Sequence, residues 1–98
     1  MSTDEFVQIQ SERLDALCRA LDEDDWERAV MLSQEIDGAM STAPAEPLSQ
    51  IQMESLASRH AAYLRGLVAA RQRLALVSER MTGVQRAMRA YAHLNDQD

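Results

Sequence analysis

The sequence predicts an all-α protein, an antiparallel helical bundle or hairpin of three to four helices with a long third helix. Three observations carry this. The 98 residues hold only 3 glycines and 2 prolines among abundant Ala, Leu, Met, Gln, Glu and Arg, side chains that lose little freedom in a helix. Both prolines, Pro44 and Pro47, fall in one short stretch, which leaves long uninterrupted segments on either side. From Met53 to Tyr91 apolar residues recur at alternating steps of three and four without a slip, the period of a helical stripe. A chain of this length makes a single domain, residues 1–98, that buries roughly 60 to 65% of its unfolded surface and so leans readily on a partner.

The first helix is expected over about residues 3–22. Ser2-Thr3-Asp4-Glu5 has the form of a capping box, in which the serine hydroxyl accepts the amide three residues on. Phe6, Val7, Ile9, Leu14, Leu17, Cys18 and Leu21 fall mainly on one face. Next comes LDEDDWERAV, Leu21 to Val30, four consecutive acids running into the only tryptophan. Carboxylates at the start of a helix cap its free amides and complement its dipole, each contributing about 0.3 to 1 kcal/mol. Asp24 or Asp25 therefore caps a second helix over about residues 25–40, with Trp26 as a core anchor and Ala29, Val30, Ser33, Ile36 and Met40 following at three- and four-residue spacings. A calcium loop is the rival reading, because Asp22 and Asp24 stand where its first two ligands belong. It fails on detail: Glu27 replaces the required glycine and Ser33 the bidentate glutamate.

Residues 41–47 form the loop, and the third helix is expected over about residues 48–81, with Pro47 tolerated near its first turn. Its stripe is Met53, Leu56, His60, Tyr63, Leu67, Ala70, Leu74, Val77, Met81, Val84, Met88 and Tyr91, with a second stripe of Ala57, Ala61, Leu64, Val68 and Ala75 beside it. Thr82-Gly83 is the one soft point, since glycine costs about 1 kcal/mol inside a helix. Residues 84–94 are then either a fourth helix folded back or a straight continuation. If straight, about 45 residues span about 68 Å, and the first two helices reach only about 30 Å along them. Half the stripe is then left for something else to cover.

Residues 1–49 hold 12 acidic side chains against 3 arginines, and residues 50–98 hold 4 against 7. The two halves should attract each other on folding. A net charge of −6 argues against nucleic acid as the main ligand, which needs a dominant basic face. One cysteine excludes an internal disulfide. No segment reaches the roughly 18 apolar residues of a membrane span, and the acidic MSTDEF start is unlike a signal peptide, so a cytoplasmic protein is expected.

Catalytic residues do not assemble. Cys18 reads as a core thiol, His60 as a hydrogen-bonded core histidine between Leu56 and Tyr63, and His93 as a solvated side chain beside Asn95 and Asp96. Met53, Met81 and Met88 read as core filler, although methionine is also what an adaptable helix-binding groove uses. There is no phosphate loop, metal-ligand pattern or nucleophile–base pair, so no enzyme, cofactor or metal is expected. Leu56, Tyr63, Leu67, Leu74 and Val77 are expected to form a groove for an amphipathic partner helix. Val84, Met88 and Tyr91, in the same register, are expected to cover that groove from within. The alternative is a structural coiled-coil adaptor that dimerises along Met53–Tyr91.

The layout of a 20-residue first helix, an acidic turn with Asp25-Trp26-Glu27, a second helix, a polar loop and a long third helix ending in Gly83-x-x-Arg86-Ala87-x-x-Ala90-Tyr91 resembles the flagellar export chaperone FliT family. The resemblance implies a cytoplasmic chaperone of the bacterial flagellar type III export apparatus. Its partners would be the filament-cap subunit and components of the export ATPase complex, and some members also bind a flagellar transcription regulator. Such a chaperone would be monomeric or a weak homodimer.

Overall fold

The computed structural model describes residues 1–96, with side-chain surroundings through Leu94. It is all-α, with three helices among the described residues: α1 (Thr3–Asp22), α2 (Trp26–Met40) and α3 (Gln50–Asp96). The Ser2 hydroxyl accepts the Glu5 amide at 3.2 Å and starts α1, with Asp4 and Glu5 in the positive first turn. Asp24 ends it in the left-handed region, at φ 55°, which Asp tolerates better than most residues. That conformation turns the chain sharply, and the Glu23 and Asp25 amides satisfy the carbonyls of Arg19 and Ala20 at 3.0 and 2.8 Å. Asp25 then caps α2, its carboxylate accepting the Arg28 amide at 3.2 Å.

α1 is the central element, packing on both α2 and α3, whereas no Cα of α2 comes within 8 Å of α3 among the described residues. Gln10 donates to the Ile36 carbonyl at 3.3 Å, near the far end of α2, so α1 and α2 run in opposite senses. α3 returns in the sense of α1. Gln52 donates to Asp4 at 2.7 Å, Arg59 pairs with Asp15 at 3.2 Å, and Arg73 pairs with Asp24 at 3.0 Å. The last two join the acidic half to the basic half. Leu17, Ala20 and Leu21 of α1 bury against Ala29 and Leu32 of α2 and Ala70 of α3, which is wholly inaccessible. Trp26, Ile36, Tyr63 and Leu67 pack partly buried around this small core.

Arg73 donates to the Leu21 carbonyl at 2.7 Å as well as to Asp24 at 3.1 Å. It places a cation on the negative end of α1 and fixes α3 at the acidic turn. Because the pair is half exposed, the expected cost of Arg73→Met is only about 1 kcal/mol in chemical denaturation.

The third helix starts at Gln50, two residues later than the expected 48. Ser49 is the reason: its hydroxyl accepts the Gln52 amide at 3.2 Å while the Gln52 side chain accepts the Ser49 amide at 3.0 Å, a second capping box. From there α3 runs unbroken for 47 residues, straight through Gly83. No separate fourth helix forms among the described residues. A Cβ on Gly83 would meet nothing within 4 Å. Gly83→Ala is accordingly expected to stabilise this part of α3 by about 1 kcal/mol, read as roughly fivefold slower hydrogen exchange at the flanking amides.

At 1.5 Å per residue α3 is about 70 Å long, and the molecule extends 76 Å along its longest axis. Its neighbours end near Arg73. From Leu74 to Leu94 every residue is exposed.

Candidate partner-binding groove

Because α1 holds α2 and α3 apart, the two outer helices become the walls of a trough whose floor is α1. Two adjoining clefts open along it. The one beside the acidic turn, about 220 Å³, is lined by Leu17, Leu21, Trp26, Ala29, Val30, Ser33, Gln34, Tyr63, Leu67 and Arg71. The one toward the α2–α3 loop, about 330 Å³, is lined by Phe6, Gln10, Leu14, Ile36, Met40, Leu48, Leu56, Ala57 and His60. From Phe6 to Leu21 the trough is about 22 Å long, or four turns of helix.

The lining is apolar except at a few points. Gln10 is buried at the base, held by the Ile36 carbonyl and by Arg13, which donates to its side-chain oxygen at 2.9 Å. Its polar atoms are satisfied within the protein, leaving the groove floor without a demand for a polar ligand. At the rim, the His60 and Tyr63 rings are tilted at 58° with centroids 5.8 Å apart. A concave apolar surface of this length suits the apolar face of a helix.

Leu56, Tyr63 and Leu67 line the trough. Leu74 and Val77 lie beyond it, on the uncovered part of α3, and Val84, Met88 and Tyr91 lie farther still, carried away from their own groove by the unbroken helix. Three expectations are corrected. His60 is exposed at the rim rather than buried in the core, because α2 stands too far from α3 to cover it. Met53, Met81 and Met88 are 52 to 65% exposed rather than filling a core. The second stripe, whose place beside the first implied a second neighbour for the third helix, leaves Leu64 and Val68 likewise exposed, since among the described residues α1 is the one helix whose backbone approaches α3 closely.

Trp26 packs on the core and also lines the groove. The α2 wall includes Val30 and Met40, which the three- and four-residue spacing puts on the same face as Trp26 without telling that they line a cleft.

Cys18 is half buried on α1. Burial raises its thiol above the ordinary range, and Asp15 and Asp22 add to the shift while Arg65 opposes it. Alkylation at neutral pH should therefore be several-fold slower than for a free cysteine, as a timed reaction with iodoacetamide will show.

Among the described residues no group of three or more His, Cys, Asp or Glu is placed to hold a metal, and no helix is long and apolar enough to cross a membrane. Fold and groove thus define an all-α scaffold with an open, largely apolar trough. Comparison with protein-family models, curated proteins and solved structures finds no match.

Proposed function

We propose that this protein is a cytoplasmic chaperone of the flagellar type III export apparatus that holds its client by an amphipathic helix laid in the trough between α2 and α3. The observation that carries the reading is the trough itself, four turns long and lined on three helices by apolar side chains. A helix laid there with anchors at three- and four-residue spacing buries its apolar face against Leu56, Tyr63 and Leu67 on one side and Trp26, Val30 and Met40 on the other. The Asp15–Arg59 and Asp24–Arg73 ion pairs help hold α3 against α1, and α1 separates the walls, so little ordering cost accompanies docking. The resemblance of Asp25-Trp26 and of the segment from Gly83 to Tyr91 to the FliT family supports the choice of client: the filament-cap subunit, with export ATPase components as further partners.

Calorimetric titration with the C-terminal helical segment of a flagellar filament-cap protein tests this. A saturable heat at one segment per chain is expected, and it should vanish when the apolar stripe of the segment is replaced by serine. Absence of heat with the native segment would overturn the assignment.

A further inference from the structure

The two clefts of the trough differ in their polar lining. In the cleft toward the α2–α3 loop, Gln10 is held by the Ile36 carbonyl and by Arg13, and the His60 ring is tilted against Tyr63. In the cleft beside the acidic turn, Arg71 on the α3 wall is joined by Ser33 and Gln34 on the α2 wall. None of these three side chains takes part in a hydrogen bond or an ion pair among the described residues. Arg71 is exposed, and it carries the one fixed charge among the described residues that line either cleft. Arg13, Arg59 and Arg73, by contrast, are engaged within the chain by Glu35, Asp15 and Asp24. A guanidinium, an amide and a hydroxyl, all with donors unused and all lining one cleft, suit a carboxylate.

We infer that Arg71 selects the helix that the trough accepts: the occupant is an amphipathic helix with a carboxylate side chain on the flank facing α3, one turn beyond the apolar anchor seated at Leu67. The inference rests on the reading of the trough as a helix-accepting surface and adds the chemistry of its occupant. Arg71 stands about 6 Å beyond Leu67 along α3, so a helix lying alongside presents an aspartate or glutamate three or four positions from its last apolar anchor. Docking strips water from the cleft, and a charge pair formed there is stronger than one on an open surface. A neutral or basic flank leaves the guanidinium desolvated with nothing in return. Selectivity therefore comes from the penalty on wrong helices as well as from attraction to the right one. The net charge of −6 does not oppose an acidic flank, because its field is screened beyond about 8 Å at physiological salt. Of the acids at the turn, Asp24 is paired with Arg73 and Asp25 accepts the Arg28 amide, while Asp22, Glu23 and Glu27 are exposed and line neither cleft.

The test is calorimetric titration of the full chain with two designed peptides long enough to fill the four turns of the trough. Both carry leucines at three- and four-residue spacings, and they differ only in having glutamate or glutamine at the positions flanking the leucine stripe in the first and last turns, so that either direction of docking presents the same side chain to Arg71. The native chain is expected to bind the glutamate peptide about 5- to 10-fold more tightly at low salt, with the preference shrinking at high salt. Arg71→Gln is expected to abolish the preference and Arg71→Glu to reverse it. Because Arg71 is exposed and unpaired, both variants are expected to keep the urea midpoint of the native chain. Equal affinity of the two peptides for the native chain overturns the inference, and so does a preference that survives Arg71→Gln, which would make Arg71 a solvated stem covering Leu67. Either of those results leaves the trough standing as a helix acceptor. Binding by neither peptide overturns both the trough and its selectivity. An Arg71-dependent preference together with no heat from the filament-cap segment keeps this inference and rejects the client named in the proposed function.

Discussion

Leu17→Ala is expected to lower the unfolding free energy by about 3 kcal/mol, within the 2 to 5 kcal/mol range for truncating a buried leucine. Leu17 is 2% exposed and sits where all three helices meet, against Ala20, Leu21, Ala29, Leu32 and Ala70. Three of those five neighbours are alanines, whose methyl groups cannot reach into the space left by the isobutyl group, so it collapses little. The effect is large relative to the whole. A domain of this size holds only about 5 to 10 kcal/mol, and with half of α3 packing on nothing in its own chain the lower figure is the relevant one. The change should appear as a lower urea midpoint by circular dichroism, with the slope little altered.

Val30→Asp is expected to weaken binding of the proposed client, the filament-cap helix, by about 30- to 100-fold, equivalent to about 2 to 2.7 kcal/mol. Val30 lines the cleft beside the acidic turn yet is 54% exposed. Folding therefore asks little of it, and the unfolding midpoint should hold within the equivalent of about 0.5 kcal/mol. A docked helix, by contrast, would desolvate the carboxylate in a cleft lined chiefly by Leu17, Leu21, Trp26 and Leu67. The contrast with Leu17 is diagnostic: one substitution removes stability, the other removes binding. Calorimetry on the Val30→Asp chain reads both quantities from one preparation.

The sequence made the helices legible because their ends are written in short-range chemistry. Ser2-x-x-Glu5 and Asp25-x-x-Arg28 cap through atoms three residues apart, and each of these helices begins within a residue of where the pattern places it. Ser49-x-x-Gln52 is the same device, and Pro47 distracted from it, since proline also suits a first turn. The uncovered half of α3 was only one of two alternatives in the sequence, since Gly83 allowed residues 84–94 to fold back; it follows once α3 is seen to run straight, because two helices of 20 and 15 residues cannot flank one of 47. The trough was legible only on its α3 wall. Periodicity tells which face of a helix is apolar and says nothing of how far apart two such faces stand, so the separation of α2 from α3 across α1 could not be read from it. His60 illustrates the point. Its register places it among Leu56 and Tyr63, and the absence of an opposing helix leaves it at the surface.

The acidic run at residues 22–25 shows how a charged cluster can be spent on architecture. Asp24 takes the left-handed turn and holds Arg73, and Asp25 caps α2. Neither carboxylate is left organised around a shared point, as a cation would require.

The most direct test of the trough as the docking surface is a nuclear magnetic resonance titration of the isotope-labelled full chain with the filament-cap helix. The account predicts that the amides and methyls that shift lie on all three helices around the trough, including Leu14, Leu17, Val30, Ile36, Leu56, Tyr63 and Leu67. Shifts confined to the exposed outer face of α3 or to the outward face of α2, with the floor residues of α1 unmoved, would contradict it.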